Sequence, residues 1–252
     1  MPDSNETNKD YEEYVQVLLE KDEVKKQAKQ NELEYFRLFG ALIVEAYENM
    51  IESIKLKKQI SYCQYKKNHG EQINQDELNS YIEKIMSSYY TERDNLLKID
   101  EISKDFKTIT EDTLLKIKKI YYSLAKLIHP DMNPKYKDNE KFKEIWNEIV
   151  NAYEANQLER LEELQILVMN LLNTNNEKEV PIEDIKNKIR LIKEEIKEIK
   201  STDPYRYNDI FVDKELVEEK KKELKKRIKE YQDYIKELKE ILKNFKIHGG
   251  MS

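Results

Sequence analysis

Four glycines and five prolines are all that punctuate this chain of 252 residues. A β-rich fold needs far more turn-formers than that, so the chain is expected to be all-α. Charged residues and the hydrophobic set each make up 38%, and 17 tyrosines are present. That balance suits long helices with one apolar stripe and one solvated face, and it argues against global disorder. The expected architecture is a helical hairpin, a central helix–loop–helix unit and a C-terminal antiparallel coiled-coil hairpin.

Charge narrows the partners. The net charge is −6, from 45 basic and 51 acidic residues interleaved along the sequence. Without a segregated basic patch, nucleic acid is not an expected partner. The single cysteine, Cys63, allows no intrachain disulfide and no Cys-x-x-Cys metal pair, and it reads as a small buried apolar residue. No glycine-rich phosphate loop, metal-ligand spacing or nucleophile constellation is visible, so neither an enzyme nor a bound cofactor or metal is expected. The polar, acidic start does not resemble a signal peptide. The most apolar run, residues 35–46, is too short to cross a membrane. A cytoplasmic protein without a membrane partner is expected.

The pattern along the chain gives five segments. Residues 1–10 read as disordered. A helical region follows over 11–102, with a break suggested at Gln30-Asn31. Within it, Phe36, Phe39, Ile43, Tyr47, Ile51 and Ile54 share one face. Gly70 suits a left-handed helix terminus, and Asn74 with Glu77 has capping-box spacing, so a hairpin is expected there. Residues 103–172 form the central unit. Thr110 caps a helix running to Ile128, with Leu114, Ile117, Tyr121, Leu124 and Ile128 along one face. Helix resumes near Asn139, burying Phe142, Ile145, Trp146, Ile149 and Tyr153, and a further helical pattern follows a bend at Asn156-Gln157. Residues 173–180 are a polar linker. Over 181–252, two heptad runs read as an antiparallel coiled-coil hairpin. The first is Ile182, Ile185, Ile189, Ile192, Ile196 and Ile199; the second is Val217, Leu224, Ile228, Tyr231, Ile235, Leu238, Leu242 and Phe245. Tyr205 and Tyr207, between the two runs, are read as capping the hairpin end.

One tripeptide carries a functional signal: His129-Pro130-Asp131, in the loop between the two central helices. Pro130 lacks a backbone donor and disfavours helix at His129, so the helix must stop there. Pro134 stiffens the loop further. His129 and Asp131 are expected to project from it as an exposed recognition tip, one ring and one carboxylate. The run YYSLAKLIHPDMNP, with KFKEI at 141–145 and NAYEA at 151–155, resembles the J domain of DnaJ-type co-chaperones over about residues 108–165.

That resemblance implies a co-chaperone that docks on a DnaK-type heat-shock chaperone and stimulates its ATP hydrolysis. Asp131 would pair with a partner arginine, and the basic face of the preceding helix would meet an acidic surface. The chaperone-binding set it implies is His129, Pro130, Asp131, Asn133, Lys118, Lys119 and Lys126. Several features depart from the family pattern. Tyr122 and Ser123 stand where paired basic residues are common, Met132 replaces a basic residue, and the family's first helix is not visible before Thr110. The alternative is a structural coiled-coil adaptor with a vestigial HPD loop.

Overall fold

The computed structural model describes residues 4–104, 109–172, 184–245 and 247–248, with side chains over 9–104, 109–172 and 184–245. The fold is all-α. Eight helices are formed among the described residues: α1 (Ser4–Asn68), α2 (Gln75–Lys104), α3 (Glu111–Ile128), α4 (Glu140–Glu154), α5 (Leu158–Leu172), α6 (Ile185–Ser201), α7 (Asn208–Phe211) and α8 (Lys214–Lys243). Two two-residue strands, β1 (Ile73–Asn74) and β2 (Ile247–His248), pair in parallel. The chain divides into two compact units, residues 1–32 with 107–208 and residues 33–106 with 209–252.

The long helix α1 starts inside the polar stretch 1–10 and passes Gln30-Asn31 without a break. Asn31 is buried, but its side chain is satisfied. Its amide donates to the Tyr205 carbonyl at 2.6 Å, and its Oδ1 accepts from Gln27 at 2.8 Å. With neither proline nor an unpaired polar group there, nothing forces a kink. Tyr205 itself packs against the core of this unit. The linker 173–180, Pro181, Ile182 and most of the stretch before Ile109 lie outside the described residues.

In the second unit, α1 and α2 form the expected antiparallel hairpin. Gly70 takes φ 68°, and the Glu71 amide reaches back to the Lys66 carbonyl at 3.0 Å, a Schellman-type end. Asn74 Oδ1 accepts from the Asp76 and Glu77 amides at 2.8 and 3.1 Å, which starts α2. Helix α2 runs on to Lys104, two residues past the expected end of the helical region. Ile51, Cys63, Leu78, Ile82 and Met86 form the hairpin core. Gly40 of α1 lies so close to α2 that a β-carbon there would sit 2.1 Å from Oδ1 of the buried Asp100, which also pairs with Lys104 at 2.6 Å. Gly40→Ala should therefore cost about 1–3 kcal/mol. The check is the urea midpoint, and an unchanged midpoint would show that Asp100 swings aside freely.

The heptad runs form the two helices expected, and their stripes are the buried ones. Within each unit, the described partners of these stripes lie on α1. Ile189, Ile192 and Ile196 of α6 join the core that contains Tyr14 and Leu18. Ion pairs Asp10–Lys186 (3.4 Å), Glu13–Lys193 (2.6 Å) and Glu20–Lys200 (2.8 Å) set α6 parallel to α1. In the other unit, Ile235 and Leu238 of α8 pack on Leu56. A heptad stripe specifies an apolar seam, but not which helix covers it.

Helices α3, α4 and α5 pack pairwise on one another. Thr110 caps α3 through the Thr113 amide, and Asn139 caps α4 through the Phe142 amide. All five residues expected on the buried face of α4 are buried, as are Leu161, Leu164 and Val168 of α5. Between α4 and α5, Asn156 takes φ 57° and the Gln157 amide bonds to the Ala152 carbonyl at 2.9 Å. This is again a Schellman turn, with asparagine in place of glycine.

Candidate functional site

The loop that follows α3 is built from its own backbone. His129 makes the last helical bond, to Ala125 at 2.9 Å, and then turns to φ −57°, ψ 127°. Its carbonyl accepts from the Met132 and Asn133 amides at 3.1 and 2.8 Å. The Asn133 side-chain amide ties back to the Lys126 carbonyl at 3.2 Å. A 3-10 turn, Pro134–Tyr136, leads toward α4, and Tyr136 stacks on Phe142 at 4.2 Å. Met132 is not a thinned surface position but a buried plug in the core.

His129 corrects the expectation of a projecting ring: it is only 6% exposed. Its Nδ1 accepts the Asp131 amide at 3.0 Å, which folds the imidazole inward against Trp146, with centroids 4.6 Å apart. That bond leaves Nδ1 unprotonated and puts the neutral ring's hydrogen on Nε2. Pro130 is half-buried and Asp131 is exposed. The loop thus presents its carboxylate and withholds its ring.

What covers the ring is the N-terminal part of α1. Tyr14 donates to the Asp131 carbonyl at 3.4 Å. Asp22 Oδ2 lies 3.8 Å from His129 Nε2 and accepts from the Tyr121 hydroxyl at 2.8 Å. Glu23 accepts from the Tyr153 hydroxyl at 2.6 Å and pairs with Lys118 at 3.3 Å. Lys26, itself buried, sits 3.8 Å over the Tyr153 ring. Tyr121 and Tyr153 stack at 3.8 Å and floor the contact. A cleft of about 290 Å³ remains between α1 and this floor, lined by Lys21, Lys25, Pro130, Asp131 and Val150 among others.

Burial dominates the titration of this cluster. It pushes Asp22 up to about 6 against the pull of Tyr121, Lys21 and Lys25. It pushes His129 down to about 4, with Lys21 and Lys25 adding to the effect and Asp131 opposing it. Lys26 falls to about 8 for the same reason, partly offset by Glu23. Desolvation also lowers Lys118, but Glu23 and Tyr122 outweigh it and hold the ammonium charged. At neutral pH the face beneath α1 therefore combines a neutral imidazole with carboxylates and ammoniums withdrawn from water.

The seven sequence-derived site residues accordingly fall into two groups. Asp131, Lys119 and Lys126 are exposed, and Pro130 and Asn133 are half-buried. His129 and Lys118 are engaged by α1. The sequence reading missed Tyr14, Asp22, Glu23 and Lys26, which lie about a hundred residues upstream of their partners. One signal was available: Val15, Val17, Leu18, Leu19 and Val24 are spread around more than one side of α1, which marks a helix covered on two faces.

No described helix is long and apolar enough to cross a membrane. No group of three His, Cys, Asp or Glu side chains among the described residues is placed to hold a metal ion. Comparison with curated proteins and with solved structures gives no match. The family model of the DnaJ domain matches residues 107–155, which span α3, the HPD loop and α4. Motif, helix–loop–helix geometry and family model coincide on the same residues, and this segment is similar to the J domain of DnaJ-type co-chaperones.

Proposed function

We propose that this chain docks through its HPD loop on a DnaK-type heat-shock chaperone and stimulates that partner's ATP hydrolysis. Co-chaperone function in general follows from the DnaJ domain. The observation that carries the finer reading is the exposed Asp131 carboxylate, held at the tip of a loop braced at His129 and Asn133. A carboxylate fixed by backbone geometry suits bidentate pairing with a partner arginine, because little loop entropy is lost on docking. Exposed Lys119 and Lys126 on α3 supply positive charge beside it for an acidic partner surface, and charge of that kind mainly raises the association rate. The ATP site belongs to the partner; this chain supplies only a docking surface. The remaining helices would decide which client or complex is served, in the cytoplasm. The coiled-coil adaptor reading loses ground because the α6 and α8 stripes already have partners on α1.

The test is the steady-state ATPase rate of a purified DnaK-type chaperone from the same organism, titrated with the full chain. Stimulation is expected, and Asp131→Asn should reduce it at least about tenfold, consistent with the loss of a charge-assisted pair. Equal stimulation by both forms would remove the loop from the mechanism. No stimulation by any form of the chain, including one with α1 loosened at Glu23, would overturn the reading.

A further inference from the structure

We propose that the α1 segment Tyr14–Lys26 is an autoinhibitory cap, which occupies the face of the J unit that a DnaK-type chaperone would need. The proposal rests on the docking function argued above and adds its regulation.

The first observation is what α1 touches. Tyr14 holds the Asp131 carbonyl, Asp22 faces His129, and Glu23 takes Lys118. Three of the seven residues assigned to docking are thus in contact with one short stretch of α1. An acidic partner surface must displace Glu23 to take the Lys118 ammonium, and it meets no free His129 ring while Asp22 and Trp146 enclose it. Glu23 and Asp22 present to the J unit the same carboxylate chemistry that such a partner would present.

The second observation is the character of the contact. On their other side, α3 and α4 pack on α5 through aliphatic side chains such as Leu161, Leu164 and Val168. Toward α1 they present Tyr121, Tyr153, Trp146, His129 and Lys118, met by Asp22, Glu23 and Lys26. Aromatic side chains with polar handles are the composition of an interface rather than of a core. Buried Lys26 and partly buried Asp22 on the α1 side make it weaker than an apolar seam of equal area. Helix α1 also adds Leu18 and Val24 to the hydrophobic core of α3, α4 and α5, but at the HPD face its contacts are polar ones that a competing surface can replace.

A cap of this kind lowers apparent affinity by the fraction of molecules that are open, so weakening it raises affinity without altering the docking residues. Glu23→Lys sets two ammoniums against each other at Lys118 and removes the Tyr153 acceptor. In the full chain it should lower the concentration that half-maximally stimulates the chaperone ATPase at least about fivefold, within the usual range of coupling between sites. Hydrogen exchange of the free protein should quicken at amides 14–26, and Glu23→Lys combined with Asp131→Asn should be inactive. Thermal melting confirms that the variant is folded. If it melts below the assay temperature, Tyr14→Phe applies the same test with a smaller shift. A folded Glu23→Lys with unchanged half-saturation and unchanged exchange at 14–26 overturns the cap while leaving the docking function standing. Stimulation by Glu23→Lys but not by wild type supports both. Silence from every form, open or capped, overturns the docking function itself.

Discussion

Ile149→Ala should cost about 3–4 kcal/mol of unfolding free energy, among the larger effects of any single truncation in this chain. Ile149 is 0% exposed on the inner face of α4 and belongs to the core shared with α3 and α5. It lies one turn from Ile145 and Trp146 on one side and from Tyr153 on the other. Removing its outer carbons leaves a cavity that close-packed neighbours refill only in part. The functional consequence runs through Trp146, whose ring backs His129. A loosened Trp146 frees the imidazole, and the loop loses the brace that aims Asp131. Urea denaturation measures the first effect. Chaperone stimulation, taken at a temperature where the variant remains folded, measures the second, which should be a fall. A loss below about 1 kcal/mol would show that the α3–α4–α5 core collapses around the gap. Leu18→Ala is the contrasting case. Leu18 is also 0% exposed and belongs to the same core, but it is contributed by α1. Its truncation should loosen α1 and raise stimulation while the J unit stays intact.

That contrast marks where sequence reading succeeds and where it stops. The ends of α3 and α4 were legible because Thr110 and Asn139 act locally, each capping a helix a few residues away. The buried faces of α4 and α8 were legible because helical periodicity is a property of the element alone. Which surface covers a stripe is not such a property. The α6 isoleucines fit an antiparallel neighbour or a parallel α1 equally well, and long-range ion pairs such as Glu20–Lys200 decide between them only in three dimensions. The HPD loop shows the same division. Its backbone turn follows from Pro130, but the direction of the His129 ring follows from Trp146 and Asp22, one downstream and one far upstream. Asp22 and Glu23 read in the sequence as an ordinary solvated helix surface. They became site residues only when the fold placed Tyr121, Tyr153 and Lys118 opposite them.

Asp22→Asn should stabilise the protein at pH 7.5 by about 1–3 kcal/mol, with the advantage gone near pH 4. The groups facing Asp22 are Tyr121, His129 and Asp131 from the J unit and Lys21 and Lys25 from α1. Desolvation outweighs the favourable ones and raises the carboxyl from 3.8 to about 6. Below pH 3.8 the group is protonated whether the chain is folded or not, and it costs nothing. As pH rises through about 6, the folded chain must hold a buried charge that the unfolded chain carries in water, so stability is lost across that window. At about 1.4 kcal/mol per pH unit the full cost is about 3 kcal/mol. Asparagine keeps an acceptor for the Tyr121 hydroxyl and never incurs that cost. His129 titrates in the opposite sense. Its depressed value contributes stability above pH 6.5 that is lost as pH falls through about 4, but both chains share this and it cancels in their difference. Urea unfolding of the two chains at pH 4 and pH 7.5 gives the comparison. A variant less stable than wild type at pH 7.5 would mean that Tyr121, Lys21 and Lys25 hold the ionised form favourably after all. If the expected sign is found, the cap explains a second result with no added assumption. Adjacent substitutions should then move stimulation in opposite directions, Asp22→Asn tightening α1 on the HPD face and Glu23→Lys releasing it.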